Sequence, residues 1–209
     1  MSRLALGVVV TIGAMLATPA VWADQDTFDQ GRSGTLPVGW TCGVTGGGAP
    51  IWTLEADPSA PSRPNVLKQS GRGTFPWCVK DGGSITDGFV EVQFKPISGR
   101  EDQAGGLVWR WKNADNYYVA RANALENNVS LYYTEHGQRI TIQYIGAPVA
   151  AAQWHRLRVE FSGMHIKVVL DGRAYIDVDD DHIAGAGSVG VWTKADSVTA
   201  FDNFTFGAK

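Results

Sequence analysis

The chain has 209 residues, a formal net charge of −3 and a charged fraction of 19%. That length suffices for one domain with a sizeable core, and the balance is too weakly charged and too acidic for the basic surface that nucleic-acid binding requires. With 25 glycines, 8 tryptophans and 11% aromatic residues, the composition favours an all-β domain with tight turns.

Residues 1–23 read as a signal peptide. Arg3 supplies a short positive region, Leu4 to Leu16 is an apolar run too short to span a bilayer, and Val21-Trp22-Ala23 leads to a cut before Asp24. The competing reading is a retained N-terminal anchor. Loss of Arg3 moves the balance from −3 to −4 for the mature domain, residues 24–209. No later segment is long and apolar enough for a membrane helix, so the expected location is periplasmic or secreted. Cys42 and Cys78 are the two cysteines, and an even count in an exported chain points to a disulfide. Two separate buried thiols are the alternative. A metal site is disfavoured, because neither cysteine has a close Cys or His partner.

Pro58 to Pro64 is the one proline-rich run and reads as a surface loop. From Phe89 onward, strand patterns fill the chain. Val90, Val92 and Phe94 alternate with Glu91, Gln93 and Lys95; Leu107, Trp109 and Trp111 alternate with Val108, Arg110 and Lys112. Val129 to Thr134 follows the turn Glu126-Asn-Asn. His136-Gly137 turns the chain into Arg139 to Ile145, with Ile140, Ile142 and Tyr144 on one face. Leu157, Val159 and Phe161 mark the next strand, and Ile166 to Leu170 runs into the hairpin signal Asp171-Gly172. Tyr175 to Val178 precedes the acidic turn Asp179-Asp180-Asp181; Ser188 to Thr193 and Val198 to Phe206 close the chain. No segment after residue 23 has helical periodicity. Ten or more short strands predict an antiparallel β-sandwich of jelly-roll type.

The segment Asn116 to Ala124 carries the functional signal. Successive side chains on a strand face opposite ways. Tyr118, Ala120, Ala122 and Ala124 form a small, apolar set suited to the core, while Tyr117, Val119, Arg121 and Asn123 form an aromatic, cationic and amide set suited to a polar ligand such as a sugar. Trp109 and Trp111 share the parity of Leu107 and are assigned to the core; Trp40, Trp52 and Trp77 are assigned to packing. Trp192, followed by Thr193-Lys194, is open between core and ligand platform.

Several stretches together resemble one superfamily: Gly105 to Arg110, Asn116 to Arg121, Trp154 to Val159, Val168 to Gly172, Gly187 to Ser197 and Phe201 to Phe204. They look like the concanavalin A-like lectin/glucanase sandwiches, and within these like the 3-keto-disaccharide hydrolase domains and related laminin-G-like modules. The resemblance implies a carbohydrate or glycoside ligand. It implies an enzyme that removes the C2 proton of a keto-glycoside and expels the aglycone, or alternatively a non-catalytic, lectin-like glycan-binding module. The implied reaction needs a base and an electrophile for the enolate oxygen. Arg110 and Arg121 are assigned to the enolate or the sugar oxygens, with convergence expected if their strands pair; the alternative is that both are solvated or paired with Asp and Glu. The strand itself has no carboxylate, so the base is sought at the turns, at Glu126, His136 or Glu135. Tyr117, Asn123, Trp192 and Lys194 are assigned to substrate binding. Paired carboxylates of the retaining-glucanase kind are not found: Glu55-Ala56-Asp57 is followed by Pro58, and Ala60 stands where a second glutamate belongs. Sandwiches of this kind often hold structural calcium near their ends, which implies Asp202 as a ligand; the acidic turn at Asp177, Asp179, Asp180 and Asp181 is a second candidate. His155 and His165 are assigned to the surface.

Overall fold

The computed structural model describes residues 23–209, so all but the last residue of the expected signal peptide lies outside it. Fifteen strands and no helix occur among the described residues. The strands are β1 (Ala23–Asp26), β2 (Trp40–Ala49), β3 (Trp52–Ala56), β4 (Asn65–Gln69), β5 (Arg72–Ile85), β6 (Gly88–Ser98), β7 (Ala104–Asn113) and β8 (Asn116–Asn123). They continue as β9 (Asn128–Glu135), β10 (Gln138–Gly146), β11 (His155–Ser162), β12 (His165–Leu170), β13 (Arg173–Asp179), β14 (Gly187–Trp192) and β15 (Val198–Ala208). Two antiparallel sheets result. One runs β13-β12-β11-β6-β15-β4-β3, with β1 added along β15; the other runs β10-β9-β8-β7-β14-β5-β2. The second is the β8 sheet.

The alternation expected from Phe89 onward is what builds the layer between the sheets. Val90, Val92, Phe94, Leu157, Val159, Phe161, Ile166, Val168 and Leu170 from one sheet meet Leu107, Trp109, Tyr118, Ala120, Ala122, Val129 and Leu131 from the other. Each is almost fully removed from water, and a buried aliphatic side chain of this kind contributes about 1.5–3 kcal/mol. Trp109 lies parallel to Tyr118, ring centroids 5.2 Å apart. Trp40, Trp52 and Trp77 are buried as expected, and Pro58 to Pro64 lies in the connection between β3 and β4. On β10 the expected apolar face is only partly used. Ile142 packs on the core, but Ile140 and Tyr144 remain exposed because β10 is an outermost strand.

His155 corrects a second expectation. It is buried, with Nδ1 2.8 Å from Asp171 Oδ2 and Nε2 2.9 Å from the Ala150 carbonyl oxygen. It ties the loop before β11 to the β12–β13 turn. His165 stays at the surface, 3.3 Å from both Asp177 and Asp179.

Close approach of strands demands glycine at Gly190. A Cβ there would lie 2.2 Å from the Cys78 carbonyl oxygen and 2.7 Å from the Val79 Cα, both backbone atoms of β5. Because β14 is held between β5 and β7, neither neighbour can retreat without breaking a ladder. Gly190→Ala is therefore expected to cost about 1–3 kcal/mol, read as a lower urea midpoint at unchanged slope. A midpoint equal to that of the parent protein would contradict this packing.

Candidate functional site

The parity assigned to β8 holds. Tyr118, Ala120 and Ala122 belong to the layer between the sheets, while Tyr117 and Val119 join a separate cluster on the outer face of the β8 sheet. That cluster also contains Trp77, Val79, Ala104, Val108, Tyr132 and Trp192, with Phe75, Trp111 and Ala114 packed against it. The face is thus not an empty trough. Aromatic side chains fill much of it, and Thr45, from the edge strand β2, closes over Tyr117: its hydroxyl lies 2.9 Å from the Tyr117 hydroxyl and also donates to the Ala114 carbonyl. Burial pushes the Tyr117 phenol above its ordinary pKa, partly offset by Thr45. Tyr117 is a filler of this face, not an accessible ligand contact.

Arg110 departs from the expected convergence. A positive φ of 47° at Arg110 and a register shift after Trp109 make a bulge in β7. Trp109 and Arg110 consequently both turn toward the inter-sheet side, and Trp111 turns outward to lie against Trp77, centroids 5.1 Å apart. The Arg110 guanidinium donates to the carbonyls of Ile183 (3.1 Å) and Gly163 (2.6 Å) and lies over Phe161. It clips two loops at one end of the sandwich and cannot meet Arg121. His136 and Glu135 are exposed in the β9–β10 hairpin, beside Asn116 at the opposite end of β8 from Arg121. Neither is brought to the Arg121 cluster.

Arg121 is the centre of the remaining cluster. It is 2% exposed and forms two ion pairs, Nη1 to Asp102 Oδ1 at 2.8 Å and the other terminal nitrogen to Glu126 Oε2 at 2.6 Å. Asp102 is 1% exposed; its Oδ1 also accepts from Asn123 Nδ2 at 2.6 Å and its Oδ2 from Lys194 Nζ. Glu126 Oε2 further accepts from Asn128. A buried carboxylate held by two cations and an amide is well satisfied, whereas any one missing partner would leave a charge stranded. The loop carrying Asp102 is fixed by Asp196, whose carboxylate accepts from the backbone N–H groups of Arg100, Glu101 and Asp102. Burial raises the Asp196 pKa, but these three bonds outweigh it and hold the carboxyl below its ordinary value. Ser197 accepts from Ala104 N and donates to the Lys194 carbonyl, which sets the turn that presents Lys194.

In front of this cluster opens a hollow of about 530 Å³, lined by Arg72, Phe75, Glu101, Asp102, Arg139 and Lys194 with the backbone around Gly48 and Gly73. Arg139 projects from β10 across the outer face and stacks on three rings, with its guanidinium carbon 4.2 Å from the Tyr132 centroid, 4.7 Å from Phe75 and 5.7 Å from Trp192. Trp192 is fully buried beneath Phe75; it is a floor beneath the site. Burial lowers the Arg139 pKa, opposed chiefly by Tyr132. Of the residues assigned from sequence, Arg121, Glu126, Asn123, Lys194 and Trp192 come together here. Asp102, Arg139, Tyr132 and Phe75 were missed. Arg139 and Tyr132 obey the same outward parity on β9 and β10 that singled out Arg121; Asp102 sits in a loop, where alternation says nothing.

Both carboxylate oxygens of Asp202 are hydrogen-bonded within the protein. Its Oδ2 accepts from Ser62 N and its Oδ1 from Ser62 Oγ and Asn203 N. No group of three His, Cys, Asp or Glu side chains suited to a metal occurs among the described residues, at Asp202 or at the acidic turn. Burial raises the Asp202 pKa, with nearby Asp29 adding to the rise. Cys42 and Cys78 do form the expected disulfide, joining directly opposed positions of β2 and β5.

The architecture is an antiparallel β-sandwich of jelly-roll type, the fold of the solved structures it superposes on. A carbohydrate-binding module, CBM66, from Bacillus subtilis superposes with a TM-score of 0.64 at 23% identity, over 80% of this chain and 94% of that one. A β-glucanase of Bacillus licheniformis superposes at 0.59 and 13% identity, over 90% and 98%. A levanase of Bacillus subtilis (strain 168) is 30% identical over 117 residues, which is 55% of this chain and 16% of that enzyme. The chain thus corresponds to a small part of that relative's length. No protein-family profile matches it.

Proposed function

We propose that this protein is an exported, non-catalytic glycan-binding module whose ligand enters the hollow between Arg139 and Lys194. The observation that carries this reading is the constraint around Asp102. A ligand site built on a fully paired, buried carboxylate is rigid and preorganised, which lowers the entropic cost of binding. Around it stand rings, a planar cation and an ammonium, the groups that stack on and hydrogen-bond to sugars. The fold shared with a carbohydrate-binding module and a glucanase, and the stretch similar to a levanase, support a carbohydrate ligand, levan among those to be tried.

The keto-glycoside-cleaving reading has less to stand on. Its enolate-binding Arg110 and its base His136 lie away from Arg121, and Glu126, its other base, is bonded to Arg121 and Asn128. The carboxylates lining the hollow, Asp102 and Glu101, are bonded to Lys194 and Arg72 respectively, so no uncommitted base faces it.

Titration calorimetry with levan, mixed-linkage β-glucan and further soluble glycans, beside a release assay on 3-keto-glucosides, tests the assignment. Binding without aglycone release is expected. Turnover that disappears on Glu126→Gln would establish the enzyme instead. Arg139→Ala is expected to weaken binding about ten- to hundredfold, since it removes a charge-assisted donor and its stacked surface, while shifting stability by about 1 kcal/mol. Unchanged affinity would place the ligand elsewhere.

A further inference from the structure

The wall of the hollow is unbalanced in a way that specifies the ligand. Its ionisable side chains are three cations, Arg72, Arg139 and Lys194, and two carboxylates, Glu101 and Asp102. Both carboxylates are already used: Glu101 Oε1 pairs with Arg72 at 2.6 Å, and the two oxygens of Asp102 accept from Arg121, Asn123 and Lys194. Behind the wall, Arg121 is matched by Asp102 and Glu126. Arg139 has no such match. Among the described residues no carboxylate forms an ion pair with it; ring faces pack against it, Asp102 acts on its charge only at longer range, and its Nη1 is buried without a hydrogen-bond partner. Lys194 donates one N–H to Asp102 and has two further N–H donors. Toward a ligand the hollow therefore presents chiefly donors carrying positive charge, next to a cation that has no ion-pair partner. A neutral sugar hydroxyl satisfies the donors but leaves that charge unpaired; a carboxylate satisfies both, with charge-assisted bonds roughly twice as strong as neutral ones.

Resting on the binding-module reading, we propose that the ligand is an acidic glycan, its uronate carboxylate seated between Arg139 and Lys194. The net charge of the protein is −3, so any attraction for a polyanion is local to this hollow and not a general property of the surface.

Matched polymers separate this inference from the reading beneath it. Polygalacturonate and a glucuronate-bearing xylan are titrated against their carboxyl-reduced forms, which keep length and linkage but lose the charge, with levan as a neutral reference. At least one acid polymer is expected to bind, and at least tenfold more tightly than its reduced form. Raising the salt is expected to narrow that gap, and Arg139→Gln is expected to abolish it while the folded signal in circular dichroism persists. Arg139→Lys, which retains the charge, is expected to restore part of the preference. Equal binding of acid and reduced forms, or binding of levan alone, overturns the acidic ligand and leaves the module reading in place. An acid preference that survives Arg139→Gln also overturns it. No binding to any polymer removes the module reading as well.

Discussion

Arg121→Ala is expected to destabilise the protein by about 3–5 kcal/mol and to eliminate ligand binding with it. Taken as a ligand contact alone, Arg121 would be replaceable without unfolding. Its burial changes that expectation. Alanine would strip Asp102 of one cation and Glu126 of its only ion pair, and Asp102, at 1% exposure, has no water to turn to. Removing one partner of a buried ion pair typically costs that much, because the other charge is left in a poor solvent. Lys194 and Asn123 still reach Asp102, which places the expected loss short of outright unfolding. Guanidinium denaturation provides the measurement, with Arg139→Ala as the counterpart that loses affinity while its stability moves by only about 1 kcal/mol. A midpoint for Arg121→Ala within 1 kcal/mol of the parent would show that the network contributes little.

Loss of the Cys42–Cys78 bridge is the second large effect. The two residues are 36 apart in sequence and face each other across β2 and β5. A loop of that length contributes about 3–4 kcal/mol through the unfolded chain, which for a domain of this size lowers Tm by roughly 6–16 °C. Cys42→Ala with Cys78→Ala, scanned beside the parent protein with and without reductant, is expected to show it. β2 is the outermost strand of its sheet and carries Thr45 over Tyr117, so the cover of the aromatic cluster is expected to loosen before the centre does. Equal Tm values with and without the bridge would mean that the ladder alone suffices.

Most of the second half of the fold was legible in the sequence, because strands buried on one face write their burial into every second residue. Val90, Val92 and Phe94 are an example, and Leu157, Val159 and Phe161 another. The strands before Phe89 were not placed. Trp40–Ala49 and Arg72–Ile85 are rich in glycine, the latter is interrupted by Pro76, and each holds register shifts, which scramble the period of two. The candidate site was half visible. Arg121 and Asn123 announced themselves as polar residues at outward positions of an otherwise packed strand. Asp102 did not, since its burial comes from a loop pinned by Asp196, 94 residues later in the chain. Nor did the sequence separate accessible from covered: Tyr117 and Arg121 share a face, yet one lies under Thr45 and the other behind the hollow.

The kink at Arg110 has a bearing on how this chain is lined up with others. Before it, odd-numbered side chains of β7 look inward; after it, they look outward, so that Trp109 and Trp111 serve different layers despite equal spacing from Leu107. A relative whose seventh strand runs straight matches this one only if a gap is opened there. Without that gap, half the strand is compared inside-out, and an indole from the molecular interior is equated with one from the outer face of the sheet.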